Sequence, residues 1–272
     1  MIDLLIITNQ PELAARYDCM EGMRLFVDLE SHGKAERQAG RNTFISTHQL
    51  DDVGRVKAVL KRARLMVRVN PYQCDHPAAT QAEVDAVLAQ GADLLMLPMF
   101  TNAAQLRAFS AIVAGGAPIV PLLETAGALA SLGDWIDTPG IFEVFVGLND
   151  LHLSLGCQFM FEPLMLGHVD RVAEAARQQG LRFGFGGIAR THEGLLSGRD
   201  VLAEHVRLGS QAVILSRTFS RSDDEQSFEE AVGGLRQAES ELSLRTAAQA
   251  ESDRLRVNGL IGQLAVRGKP GA

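Results

Sequence analysis

TQAEVDAVLAQGADLLMLPM, residues 80–99, holds one structural unit from end to end. Residues 80–90 are rich in helix formers, and Gly91 stands where a helix closes with a left-handed residue. The run DLLMLPM (93–99) that follows is short and almost continuously apolar, the pattern of a strand covered on both faces. Helix, glycine cap and buried strand together are the repeating part of a parallel sheet.

The same unit recurs outward in both directions. Strand candidates are DLLIIT (3–8), MRLFVDLE (23–30), RLMVRVNP (64–71), PIVPLLET (118–125), EVFVGLND (143–150), RFGFGGI (182–188) and QAVILSRTF (211–219), which with 93–99 make eight. Helix candidates lie at 51–62, 80–90, 102–114, 164–179 and 199–208, and Gly180 and Gly209 close two of them just before a strand. Eight such strands predict an α/β fold, a (β/α)8 TIM barrel, with an open doubly wound sheet as the alternative. Residues 1–222 are expected to form the barrel without an internal boundary. Residues 223–272 are expected to supply its last helix and a C-terminal helical extension, broken near 245–249, with Leu255, Leu260, Ile261 and Leu264 at roughly helical spacing.

Composition narrows the partners. With 272 residues, 46% of them hydrophobic and 22% charged, the chain reads as one ordinary globular domain. A formal charge of -7 gives no reason to expect nucleic acid or an anionic membrane, so an anionic substrate must be met by a local basic group. MIDLLIITNQPEL carries Asp3, lacks a basic leader and is broken by Pro11, which suits a strand better than a signal peptide, and no run is long enough to span a membrane. Three cysteines without a CxxC pair fit a reducing compartment, and the expected location is the cytoplasm.

In a barrel of this kind, chemistry sits at the C-terminal ends of the strands. On the second strand a period of two puts Phe26, Asp28 and Glu30 on one face, and on the third Met66, Arg68 and Asn70. A guanidinium in such an apolar run needs anionic partners or solvent at the mouth, either a structural ion pair with Asp28 or Glu30 or a substrate. Glu124 and Asp150 end the fifth and sixth strands, close enough to converge on one cation, and two carboxylates with open positions suit Mg2+ or Mn2+ better than zinc. Each also has a plainer reading, Asp150 as a helix cap and Glu124 as a solvated strand end. Gly147–Asp150, GLND, is a tight exit whose backbone N–H groups suit a carboxylate. Gly184, Gly186 and Gly187 end the seventh strand, where phosphate or close packing would both use glycine. Of seven histidines only His32 follows an acidic strand end, which makes it the candidate general base; the others are expected mostly at the surface.

With those residues in hand, the chain resembles the HpcH/HpaI aldolase and citrate lyase β-subunit family of metal-dependent barrel enzymes over roughly residues 23–219. The carriers are DLE (28–30), VRVNP (67–71), GADLLMLPM (91–99), PLLETAGAL (121–129) and VGLNDLHLSLG (146–156). The resemblance implies that Glu124 and Asp150 hold the divalent metal, that Arg68 polarises the substrate carbonyl, and that the backbone at Gly147, Asn149 and Asp150 binds a pyruvate-type carboxylate. Asp28 and Glu30 are expected beside the substrate. The family's pyruvate aldolases set a histidine directly after the strand-two glutamate, whereas here Ser31 stands between Glu30 and His32.

Three functions stay open at this point. The leading one is a Mg2+- or Mn2+-dependent carbon–carbon lyase that cleaves a 2-oxo-4-hydroxy acid to pyruvate, or a related oxo acid, and an aldehyde. The second is a citrate-lyase-like or malyl-CoA-type lyase acting on an acyl-CoA thioester, and the third a non-catalytic oxo-acid-binding or scaffold barrel. The apolar residues Phe159, Met160, Phe161, Leu164 and Met165, with those of the C-terminal helix, predict a homo-oligomer, a trimer or hexamer by the family's habit, unless the tail folds back on its own subunit.

Overall fold

The computed structural model describes residues 1–31, 47–220 and 227–267. Its strands are β1 (Asp3–Ile7), β2 (Met23–Asp28), β3 (Leu65–Arg68), β4 (Leu94–Leu97), β5 (Ile119–Leu123), β6 (Glu143–Val146), β7 (Arg182–Ile188) and β8 (Ala212–Leu215). Each pairs in parallel with the next, and β1 also pairs with β8, with Asp3 opposite Ala212. The sheet is therefore closed, and the open-sheet alternative falls.

Two apolar layers follow from the pleat. Leu5, Phe26, Met66, Leu94, Met96, Val120, Leu122, Phe145 and Ala212 fill the barrel interior as one cluster. The alternate residues, among them Leu25, Val27, Leu65, Val67, Leu95 and Val144, join a second cluster with the covering helices. Phe26 and Met66 thus confirm the register that turns Asp28 and Arg68 toward the mouth.

Among the described residues the helices are α1 (Pro11–Asp18), α2 (Leu50–Lys57), α3 (Pro77–Ala89), α4 (Ala103–Val113), α5 (Ala126–Ala130), α6 (Leu132–Trp135), α7 (Leu148–Ser154), α8 (Glu162–Met165), α9 (His168–Gln178), α10 (Gly198–Leu208), α11 (Phe228–Ser243) and α12 (Ala247–Arg267). The Asn102 side chain accepts the N–H of Gln105, and Ser227 and Glu230 cap each other, so α4 and α11 begin where their caps dictate. Two expected helices are shorter than their patterns. The one predicted at 51–62 ends at Lys57, and the one predicted at 164–179 is split by Gly167, held at φ 75° between α8 and α9.

The C-terminal extension folds back. Arg245 donates from Nη2 to the Ala203 carbonyl at 2.9 Å and from Nη1 to Asp253 Oδ2 at 2.7 Å, which pins the turn between α11 and α12 onto α10. Val257 and Ile261 are buried as α12 packs on α8 and α10, while Leu255 is exposed and Leu260 and Leu264 lie between these extremes. Phe161 and Leu164 are buried in the same region. The two apolar surfaces that suggested an oligomer interface therefore cover each other in large part. No helix among the described residues is long and apolar enough to cross a membrane.

Candidate active site

Arg68 is the last residue of β3 and stands directly opposite Asp28, the last of β2. That register allows a two-point contact: Arg68 Nε donates to Asp28 Oδ1 at 2.9 Å and Nη2 to Oδ2 at 2.8 Å, while Nη1 lies 3.3 Å from Glu30 Oε2. Asp28 and Glu30 are buried, so these contacts supply much of the compensation that ionised carboxylates need there. Burial works against the Arg68 charge, but Asp28, then Glu30 and Glu124, outweigh it and raise the pKa of the guanidinium. Asp28 and Glu30 hold the Arg68 guanidinium in place, and neither is among the residues that line the cavity described next.

That cavity, of about 280 Å3, opens at the C-terminal ends of the strands and is lined by Arg68, Glu124, Gly147, Asn149 and Asp150, with an apolar wall that includes Leu122, Phe145 and Met160. These five polar and glycine residues, all singled out from sequence, thus face one space. Glu124 follows β5 directly and is buried; Asn149 and Asp150 lie in the first turn of α7, which Gly147 precedes. Asp150 is therefore not the helix cap that its position in sequence allowed. Gly147 is required by crowding, since a Cβ there would stand 2.8 Å from Glu124 Oε2 and 3.1 Å from Leu122 Cδ1.

Burial pushes the Glu124 carboxyl up to about 8; Arg68 and the Met99 amide pull it down, and Asp150 and Glu30 push it up. Among the described residues no group of three or more His, Cys, Asp or Glu is arranged to hold a metal ion. The two carboxylates Glu124 and Asp150 nonetheless fit a hard divalent cation. They are oxygen donors, they face one cavity, and their mutual repulsion is the kind a positive ion relieves, with other positions left to water and substrate.

Two features escaped the sequence reading. Met99, just past β4, has φ 56°, a left-handed conformation costly for a side chain of that size, and its N–H donates to Glu124 Oε1 at 3.0 Å. The backbone is bent here in a way that supplies a carboxylate with a donor. His48 is the other: its Nδ1 accepts the backbone N–H of Asp28 at 3.1 Å, so a histidine expected at the surface is tied to the end of β2. His32 lies outside the described residues. Of the strand-seven glycines, Gly186 and Gly187 line the cavity, whereas Gly184 is explained by packing, because a Cβ there would meet Phe145 at 2.8 Å.

The sequence profile of the HpcH/HpaI aldolase/citrate lyase family matches residues 4–211. No functionally curated protein matches the sequence. Among solved structures, an HpcH/HpaI aldolase from Desulfitobacterium hafniense DCB-2 superposes with a TM-score of 0.58 at 16% identity, covering 79% of this chain and 86% of that one. An HpcH/HpaI aldolase/citrate lyase family protein from Burkholderia cenocepacia J2315 gives 0.60 at 16% identity, covering 89% and 94%. A citrate lyase from Burkholderia xenovorans LB400 gives 0.60 at 13% identity, covering 99% and 93%. At these identities the superpositions establish the shared fold.

Proposed function

The chain belongs to the HpcH/HpaI aldolase/citrate lyase family, and from that premise we propose that it is a divalent-metal-dependent lyase cleaving a 2-oxo-4-hydroxy acid to pyruvate, or a related oxo acid, and an aldehyde. The observation that carries this reading is the convergence of Arg68, Glu124, Gly147, Asn149 and Asp150 on one small cavity. In the cleavage a base takes the 4-hydroxyl proton, the C3–C4 bond breaks to release the aldehyde, its electron pair moves toward the C2 carbonyl oxygen as an enolate, and a proton delivered to C3 gives the oxo acid. Mg2+ or Mn2+, held by Glu124 and Asp150, would supply Lewis-acid stabilisation of that negative charge.

The chain's own groups have separate tasks. Arg68 has two of its five N–H groups fixed on Asp28 and a third near Glu30, which leaves donors of a rigidly held fork for the carbonyl oxygen. The backbone N–H groups at Asn149 and Asp150, in the first turn of α7, would orient the substrate carboxylate; that of Gly147, which the family resemblance adds to this set, instead donates to the Leu123 carbonyl at 2.9 Å. Leu122, Phe145 and Met160 exclude water from the reacting carbons. A cavity of about 280 Å3 suits a short oxo acid, whereas a CoA thioester would have to leave most of its length outside.

The test is product release, with and without Mg2+ or Mn2+, from parallel panels of 2-oxo-4-hydroxy acids and acyl-CoA thioesters. Metal-dependent pyruvate or oxo-acid release from the first panel is expected. Release from the thioesters alone would instead make the chain a citrate-lyase-like enzyme, and binding of an oxo acid without turnover of either panel would make it a binding barrel.

A further inference from the structure

The opposite, N-terminal end of the barrel carries a charge arrangement that the lyase reading does not use. Arg24 Nη1 and Nη2 donate to Glu143 Oε1 and Oε2 at 2.6 and 3.0 Å, and Nη2 also donates to Asp3 Oδ2 at 2.7 Å. Arg182 reaches the same two acids, from Nε to Glu143 Oε2 at 3.1 Å and from Nη2 to Asp3 Oδ2 at 2.7 Å. Two guanidinium groups and two carboxylates balance, and a plug of this kind at the bottom of a barrel is ordinarily a stability feature.

Arg62 and Arg64 are not accounted for by that plug. Together with Arg24, Arg182 and Asp3 they line a cavity of about 230 Å3, and neither makes an ion pair with a described residue. The Arg64 guanidinium lies 5.1 Å from the centre of the Phe142 ring and that of Arg182 lies 5.5 Å from the same ring, so two cations face one aromatic side chain. Their backbone is held in position. The Asp18 carboxylate accepts the N–H groups of Lys61, Arg62 and Ala63 at 3.0, 2.9 and 2.7 Å, and the Arg64 carbonyl accepts the N–H of Leu25 at 3.0 Å. Like charges gathered on a fixed frame, in a chain whose net charge is -7, are stabilised by an anion between them.

We propose that this cavity is a binding site for a compact phosphoryl dianion. Arg24, Arg62, Arg64 and Arg182 exceed Asp3 and Glu143 by two guanidinium groups, Asp18 beside Arg62 has its carboxylate engaged by three backbone N–H groups, and guanidinium forks suit phosphate oxygens. The space admits a phosphoryl group and a few further atoms, not a nucleotide.

Calorimetry on the full chain, with inorganic phosphate and separately with glycerol 3-phosphate at fixed ionic strength, tests this. Binding is expected for at least one of them. It should weaken as salt rises and weaken by about tenfold or more in the Arg62→Gln/Arg64→Gln double variant, whose replaced side chains are exposed. Tighter binding of the ester would assign the site to a phosphorylated metabolite, and the reverse to free phosphate. A second measurement guards against a misfolded variant: phosphate should raise the thermal midpoint of the parent chain and not that of the variant. Equal affinity in the two proteins, or no heat and no midpoint shift at roughly 10 mM phosphate against chloride, would overturn the proposal.

Discussion

Gly147 and Glu124 occupy adjoining space: a Cβ on the glycine would stand 3.0 Å from the Cβ of the glutamate and 2.8 Å from its Oε2. Gly147→Ala must therefore move the carboxylate or the β6 exit. A displacement near 1 Å at a reacting centre costs on the order of 100-fold in rate. Turnover should fall by about that factor, and binding of oxalate, an enolate mimic, should weaken, while Gly133→Ala, whose Cβ would meet nothing within 4 Å, leaves both unchanged. Steady-state kinetics and calorimetry on the two variants decide it.

Glu124 and Asp150 are expected to act as one unit. Glu124→Gln and Asp150→Asn should each abolish metal-dependent activity, and the double variant should be no worse than either, since a shared site cannot be lost twice. Calorimetry with Mn2+ and oxalate reads this directly. Parent-like affinity in the double carboxamide variant would remove both residues from the site.

Arg68→Lys should separate substrate handling from metal binding. Lysine cannot reproduce the paired 2.9 and 2.8 Å contacts with Asp28, so the cation stays while oxo-acid affinity and turnover both fall. Unchanged oxo-acid affinity in this variant would show that the guanidinium does not touch the ligand.

His205 gives a stability that depends on pH. It is fully buried, stacked on Phe185 at 3.7 Å, with Nδ1 2.7 Å from Ser210 Oγ, and burial lowers its pKa from 6.5 to about 3. Between those two values the unfolded chain binds a proton that the folded chain refuses. Its contribution is therefore complete above about 6.5 and is lost progressively as the pH falls toward 3. Urea unfolding at pH 7.5 and pH 5 should show a larger loss for the parent chain than for His205→Phe; equal losses would exonerate this histidine.

The strand ends were legible because their signal is local. Alternation along FVDLE and LMVRVN fixes which side chains face inward, and the parallel pairing of β2 with β3 then brings Arg68 opposite Asp28. The strain at Met99 was not legible, because nothing about methionine announces a left-handed backbone; the conformation arises where the end of β4 meets Glu124. The burial of His205, one of six histidines expected mostly at the surface, was not legible for a related reason. Its helix turns it toward Phe185, and a single polar residue on a buried face does not break a helical pattern. Asp28 and Glu30 were correctly turned toward the mouth, but whether they would meet ligand or Arg68 depended on side-chain reach, which periodicity does not encode.

The seam between β1 and β8 has a consequence for how the chain acquires its shape. Asp3, Leu4 and Leu5 pair with Ala212, Val213 and Ile214, so some two hundred residues must be synthesised before the first strand meets its second neighbour. Until then β1 offers an unpaired edge, and so does whichever strand was made last. Contacts of such long sequence separation form slowly and leave partly built sheets open to intermolecular pairing. A nascent chain released short of β8 should thus be prone to aggregation, and its yield on expression should depend on temperature and chaperones more steeply than that of the finished barrel.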